Sequence, residues 1–152
     1  MNSKIQNSFT LTETLIVFAI VGILALISFP VLRNFQPTLQ LNGIVRDFVS
    51  DLRFTQQLAV SEQVEYCFVL PDTFPVNRVY QIIQCGESES FKQGLIPEEI
   101  IGLTIVPSLS NNEVRYNSYG AVKENAEITI ENVQNKTKTI NIRPSGFIRV
   151  ID

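Results

Sequence analysis

Hydrophobic and polar positions divide this chain into stretches of different period. From Leu15 to Leu32 no residue is charged, and only Gly22, Ser28 and Pro30 depart from plainly apolar chemistry. Polar residues at every third or fourth place, the mark of a helix half-buried in a soluble core, are absent from the run. At ~1.5 Å per residue a helix over it is roughly 27 Å long, close to the hydrocarbon thickness of a bilayer. The pattern predicts a membrane-spanning helix. Pro30 removes one backbone hydrogen bond and crowds the preceding turn, and Gly22 lowers helix stability by up to ~1 kcal/mol relative to alanine. A bend or local melting is therefore expected near Ala25–Pro30.

After Pro37 the period becomes helical and amphipathic. Leu41, Ile44, Val45, Phe48, Leu52 and Ala59 recur at spacings of three, four or seven, while Arg46, Asp47, Asp51 and Arg53 fall largely on other faces. This helix is expected to continue to about Ser61 and to join the apolar run in one helix of about fifty residues, roughly 80 Å long. From Gln63 the period switches to two. Val64, Tyr66, Phe68 and Leu70 alternate with Glu65, Cys67 and Val69, and Arg78–Cys85 reads as the returning strand. Gly86–Gln93 reads as a polar patch. Further strands are expected at Leu103–Val106, Glu113–Tyr119, Ala126–Glu131, Thr137–Ile142 and Phe147–Ile151, with turns at Ser108–Asn112, Asn132–Lys136 and Pro144–Gly146. Turns every 8–12 residues favour an antiparallel sheet or small sandwich, giving an α+β chain overall.

Composition narrows the chemistry. The chain has 152 residues, no histidine and two cysteines, Cys67 and Cys85. Histidine-based catalysis and the commonest zinc sites are excluded, and the two cysteines are too few for a zinc ribbon. No catalytic, cofactor or metal site is assigned. A formal net charge of −3 argues against a dedicated nucleic-acid surface. Cys67 and Cys85 fall on neighbouring strands. With a turn centred near Val76 they stand opposite one another, either as a cross-strand disulfide or as two buried thiols. Glu87, Glu89, Glu98 and Glu99 lack the spacing of a calcium loop and read as solvated surface.

The stretch Met1–Ser8, MNSKIQNS, is short and polar, with one lysine and no cleavage site after the apolar run. That is unlike a conventional secretory signal, so the apolar segment is expected to stay attached as an anchor. One acid, Glu13, sits just ahead of the run. An ionised carboxylate at the edge of hydrocarbon costs roughly 2.5–3.5 kcal/mol, so it asks for a cationic partner. Ser8-Phe9-Thr10-Leu11-Thr12-Glu13 followed by an unbroken apolar helix resembles the class III signal of type IV pilins and type II secretion pseudopilins. Counted from Phe9, Glu13 is fifth, Gly22 fourteenth and Pro30 twenty-second, as in that family. Ser8 stands where the family usually has glycine, and Thr12 where it usually has an apolar residue.

The resemblance implies cleavage between Ser8 and Phe9 by a prepilin peptidase and N-methylation of Phe9. It also implies pairing of Glu13 with the new amine, and melting of the Gly22–Pro30 segment in the filament. The corresponding division is a leader at 1–8, a membrane and filament-core helix at 9–35, its amphipathic continuation at 36–62 and an antiparallel β head at 63–152. The head is similar in pattern to the H-type minor pseudopilins of type II secretion. The matching features are Arg53 and Ala59 on the late helix, the strand with Cys67, Leu95–Ile100, Val114-Arg115-Tyr116 before Gly120, and the closing Thr139–Arg149.

The family implies a structural subunit and not an enzyme. It would be single-pass in the bacterial inner membrane with an extracytoplasmic head, and its partners would be other pilins, the prepilin peptidase, the assembly platform and the lipid bilayer. The rival readings are a minor pilin for DNA uptake, with Arg143 and Arg149 touching phosphates, and a plain membrane-anchored binding domain.

Overall fold

A long helix, α1 (Leu11–Glu62), precedes all the strands in this computed structural model, which describes residues 10–106 and 112–151. Met1–Phe9, with the expected leader and cut site, lies outside the described residues, as does most of the expected Ser108–Asn112 turn. By internal contacts the chain divides into Met1–Gln36 and Pro37–Asp152. In the first unit the helix is apolar and bare: Leu11, Phe18 and Leu26 are 82%, 71% and 77% exposed. The helix is continuous through Gly22 and Pro30.

In the second unit the helical stripe forms the core as its spacing predicts. Leu41, Ile44, Val45, Phe48, Leu52 and Ala59 are all buried, joined by Leu58. Phe48 anchors the contact, with its ring 5.3 Å from that of Phe68 and 4.8 Å from that of Tyr80, both edge-on. α1 ends where Gln63 turns left-handed at φ 57° and donates its side-chain amide to the Val60 carbonyl at 2.6 Å, satisfying one of the last free carbonyls.

Among the described residues eight strands follow: β1 (Tyr66–Val69), β2 (Val79–Gln84), β3 (Ser90–Leu95), β4 (Ile100–Val106), β5 (Glu113–Tyr116), β6 (Ala126–Asn132), β7 (Thr137–Ile142) and β8 (Ile148–Ile151). They form two antiparallel sheets, ordered β3-β2-β1-β5 and β4-β6-β7-β8. Both sheets feed one core with the helix, Ile82, Val114 and Tyr116 from the first and Ile128, Ile130, Ile140 and Ile142 from the second. The β6–β7 hairpin is closed by Asn132, whose Oδ1 accepts from the amides of Gln134 and Lys136 at 3.0 Å each, with Asn135 left-handed.

Three features differ from the expectations. β3 begins within the expected polar patch, at Ser90, and runs beyond it to Leu95. It is an edge strand held by backbone pairing to β2, so it needs no apolar alternation. Its one close fit is Gly94, directly opposite Tyr80, where an added Cβ would fall inside the Tyr80 ring. Second, β5 stops at Tyr116, because Asn117–Gly120 form a turn with Gly120 at φ 76°. Third, Asp51 is 3% exposed. It lies one turn along the helix from Phe48 and so shares the buried face.

Candidate functional site

The start of α1 is built by Thr10. Its hydroxyl oxygen accepts the Glu13 amide at 3.3 Å, and its carbonyl accepts the Thr14 amide at 3.2 Å. Threonine followed three residues later by glutamate is the capping-box pattern, and Glu13 is the acid of the first turn, where the helix dipole favours a negative charge. Beyond it, Leu11–Ser28 is long and apolar enough to cross a membrane, with a mean hydropathy of 2.3 and none of the span buried. Two hydroxyls in the span are bonded back to the helix, Thr14 to the Thr10 carbonyl at 3.3 Å and Ser28 to the Leu24 carbonyl at 2.8 Å. Such bonding removes the cost of placing these groups in hydrocarbon. A Cβ added at Gly22 would meet nothing within 4 Å, so no contact within the chain requires glycine there.

Of the residues singled out from the sequence, Glu13 and Gly22 lie exposed on this helix and Pro30 lies within it. Ser8 and Phe9 are outside the described residues. Cys67 and Cys85 form a disulfide with a Cα–Cα distance of 5.2 Å. The residue opposite Cys67 is Ile83, and Cys85 follows the end of β2, its amide bonded to the Glu65 carbonyl at 3.0 Å. The bond is therefore diagonal, in place of the directly opposed pair expected from a turn at Val76. It closes the end of the β1–β2 ladder.

Sequence reasoning missed the polar contacts that fix the helix in its head. Asp51 accepts a hydrogen bond from Tyr80 Oη on β2 and an ion-paired one from Lys92 Nζ on β3. Burial, then the hydrogen bond and charge of Asp51, push the Tyr80 phenol well above its ordinary range. One turn further, Gln56 donates its side-chain amide to the Gly120 carbonyl at 2.7 Å. At the end of the helix Tyr66 Oη donates to Glu62, and that bond, more than burial, raises its pKa. A polar residue at core spacing, such as Asp51 between Phe48 and Leu52, is the only signal the sequence carried for this set. Among the described residues no group of three or more His, Cys, Asp or Glu side chains could hold a metal.

Residues 3–29 match the family described as the prokaryotic N-terminal methylation motif. No curated protein matches the chain significantly. Among solved structures, the type IV minor pilin FimU of Pseudomonas aeruginosa aligns with a TM-score of 0.63 at 11% identity, covering 78% of this chain and 92% of that one. The minor pseudopilin EpsH from the type 2 secretion system of Vibrio cholerae aligns with a TM-score of 0.56 at 13% identity, covering 74% and 96%. At these identities the likeness is one of fold. The α+β architecture, an apolar N-terminal helix with antiparallel sheets, is pilin-like.

Proposed function

We propose that this chain is a minor pilin or pseudopilin, a structural subunit of a type IV pilus or type II secretion pseudopilus. The observation that carries the reading is the union, in one chain, of an N-terminal methylation motif at residues 3–29 with a head of minor-pilin fold. A prepilin peptidase cleaves between Ser8 and Phe9, and the new amine of Phe9 is methylated while remaining cationic. Residues 1–8 are the leader, 9–35 the membrane and filament-core helix, 36–62 its amphipathic continuation and 63–152 the head.

Glu13 supplies the register. Its side chain is exposed and its carboxylate makes no hydrogen bond or ion pair among the described residues, which leaves it to pair with the Phe9 amine of the same or a neighbouring subunit. In a low-dielectric surrounding that attraction is large and an unpaired charge is heavily penalised, so wrong registers are rejected. The bare apolar side chains of Leu11–Ser28 face lipid before assembly and neighbouring helices after it. Gly22 presents an open notch for a close neighbour, and Gly22 with Pro30 lets the helix unwind in the filament core.

The head stands outside the cytoplasm, where the Cys67–Cys85 disulfide persists. The subunit is single-pass in the bacterial inner membrane. Its partners are other pilins, the prepilin peptidase and the inner-membrane assembly platform.

The test is the intact mass of the protein extracted from membranes of a host with an active prepilin peptidase, together with its presence in sheared filaments. Loss of Met1–Ser8 with gain of one methyl group is expected. A full-length, unmodified chain in that host would overturn the reading.

A further inference from the structure

We propose that the groove between α1 and β8 binds an extended, acidic segment of a different subunit in the filament. β8 is the outer strand of its sheet, so among the described residues one of its edges has no strand beside it. The Arg143 amide donates to the Phe147 carbonyl at 2.9 Å, which makes that pair a hydrogen-bonded one. Alternation along the register then turns the backbone groups of Asn141 and Arg149 toward each other and those of Ile148 and Val150 outward. The Val150 side chain meanwhile lines a groove of about 690 Å³ whose other wall is α1, with Val45, Val49 and Phe54 as its apolar part. Open backbone groups beside an apolar slot suit an extended polypeptide better than a small anion.

The charge of the groove selects the kind of polypeptide. Arg46 and Arg53 both line it, and both are exposed. Among the described residues neither guanidinium has an acidic partner, whereas Arg115 is paired with Glu113 and Glu65. Asp47 borders the same groove and leaves it net positive. Seven residues apart, the two arginines lie on one helix face about 10.5 Å apart along the axis. Carboxylates two residues apart on an extended strand share one face about 7 Å apart, within reach of both flexible side chains. The fitting sequence is an acid-x-acid strand. This chain's own exposed acid-x-acid segment, Glu87-Ser88-Glu89, lies outside the strands and bends at Ser88 and Glu89, so a second copy does not offer it as a strand. The occupant is therefore a different chain, and its being a filament subunit rests on the function proposed above.

The experiment uses full-length protein in detergent micelles and a fluorescent peptide, acetyl-Thr-Val-Glu-Val-Glu-Val-Thr-amide, beside its twin with glutamine for glutamate. The acidic peptide is expected to bind at least tenfold more tightly than the twin, and less tightly as salt rises. Arg46→Glu with Arg53→Glu should weaken it at least tenfold. Val150→Pro should weaken it too, since it removes an outward amide while sparing the ladder to β7. No binding, equal binding of the twin, or undiminished binding by the arginine variant would overturn the groove. Self-association lost in the arginine variant, or salt-sensitive capture of duplex DNA through the same arginines, would overturn the assigned occupant. Processing before Phe9, read by intact mass on the same protein, separates failure of the filament reading from failure of the groove.

Discussion

Asp51 Oδ2 accepts a hydrogen bond from Tyr80 Oη at 2.9 Å, a contact that joins the long helix to β2 between residues 29 positions apart in sequence. Lys92 Nζ holds the other carboxylate oxygen, so one buried side chain ties α1 to both β2 and β3. A carboxylate only 3% exposed is tolerated because both of its oxygens are bonded. Tyr80→Phe is expected to destabilise the head by about 1.5–2 kcal/mol, the lower part of the range for a hydrogen bond to a charged group. Asp51→Ala should cost more, about 2–3 kcal/mol, because it also leaves the Tyr80 hydroxyl buried without a partner. Urea unfolding of the two variants in detergent, followed through the head, checks the order. Equal effects would mean that the carboxylate does not organise the contact.

Tyr116 presents the opposite case, a fully buried hydroxyl with no hydrogen-bond partner among the described residues. Tyr116→Phe is expected to be neutral or stabilising by up to ~1 kcal/mol at pH 7, since it removes an unsatisfied group without opening a large cavity. The same residue sets an alkaline limit. Burial holds its phenol protonated in the fold above the ordinary value of 10.0, as it does for Tyr80. Stability from this source is complete below the unfolded value and is lost as pH rises above it, by about 1.4 kcal/mol per pH unit for each such group. Denaturant unfolding from pH 7 to 11 should therefore fall off less steeply in Tyr116→Phe than in the wild type. Parallel curves would contradict this.

Gly146 carries a steric prediction. Its φ is 79°, and an added Cβ would run into the Gln56 side chain and the Gly120 carbonyl. Gly146→Ala is expected to cost at least about 2 kcal/mol, from left-handed strain and the clash together. Gln56→Ala loses only the bond to Gly120, about 1 kcal/mol. The double variant should recover part of the Gly146→Ala loss, because the side-chain clash is gone while the backbone clash remains. A double-mutant cycle on thermal unfolding measures that coupling.

Glu13→Ala is expected to abolish or greatly reduce incorporation into filaments while leaving the melting of the full-length protein in detergent unchanged. Glu13 is exposed, and its bond to Thr10 is made through its backbone amide, which alanine keeps. Filament shearing and quantification beside thermal unfolding check both halves. Normal incorporation would dismiss the pairing with the Phe9 amine.

Much of this protein was set by local sequence alone. The uncharged run to Leu32 specifies a helix suited to lipid, Thr10 and Glu13 its start, and the stripe from Leu41 to Ala59 the face it buries, because each depends on the spacing of neighbours along one helix. The β6–β7 hairpin was legible too, since Ile128 and Ile140 face one another across a turn that Asn132 closes by itself. Tertiary structure decided what neighbours in sequence do not encode. β3 is a strand only because β2 offers it an edge, and β5 leaves β4 to pair with β1, a choice made by core packing between distant segments. Asp51 reads as a surface acid until Tyr80 and Lys92 are brought to it across β2 and β3. The diagonal Cys67–Cys85 bond depends on where the β1–β2 ladder ends, and the arginine-lined groove exists only because β8 closes its sheet beside α1. Such pairings are long-range, and the period of hydrophobic residues carries no record of which strand will lie alongside which.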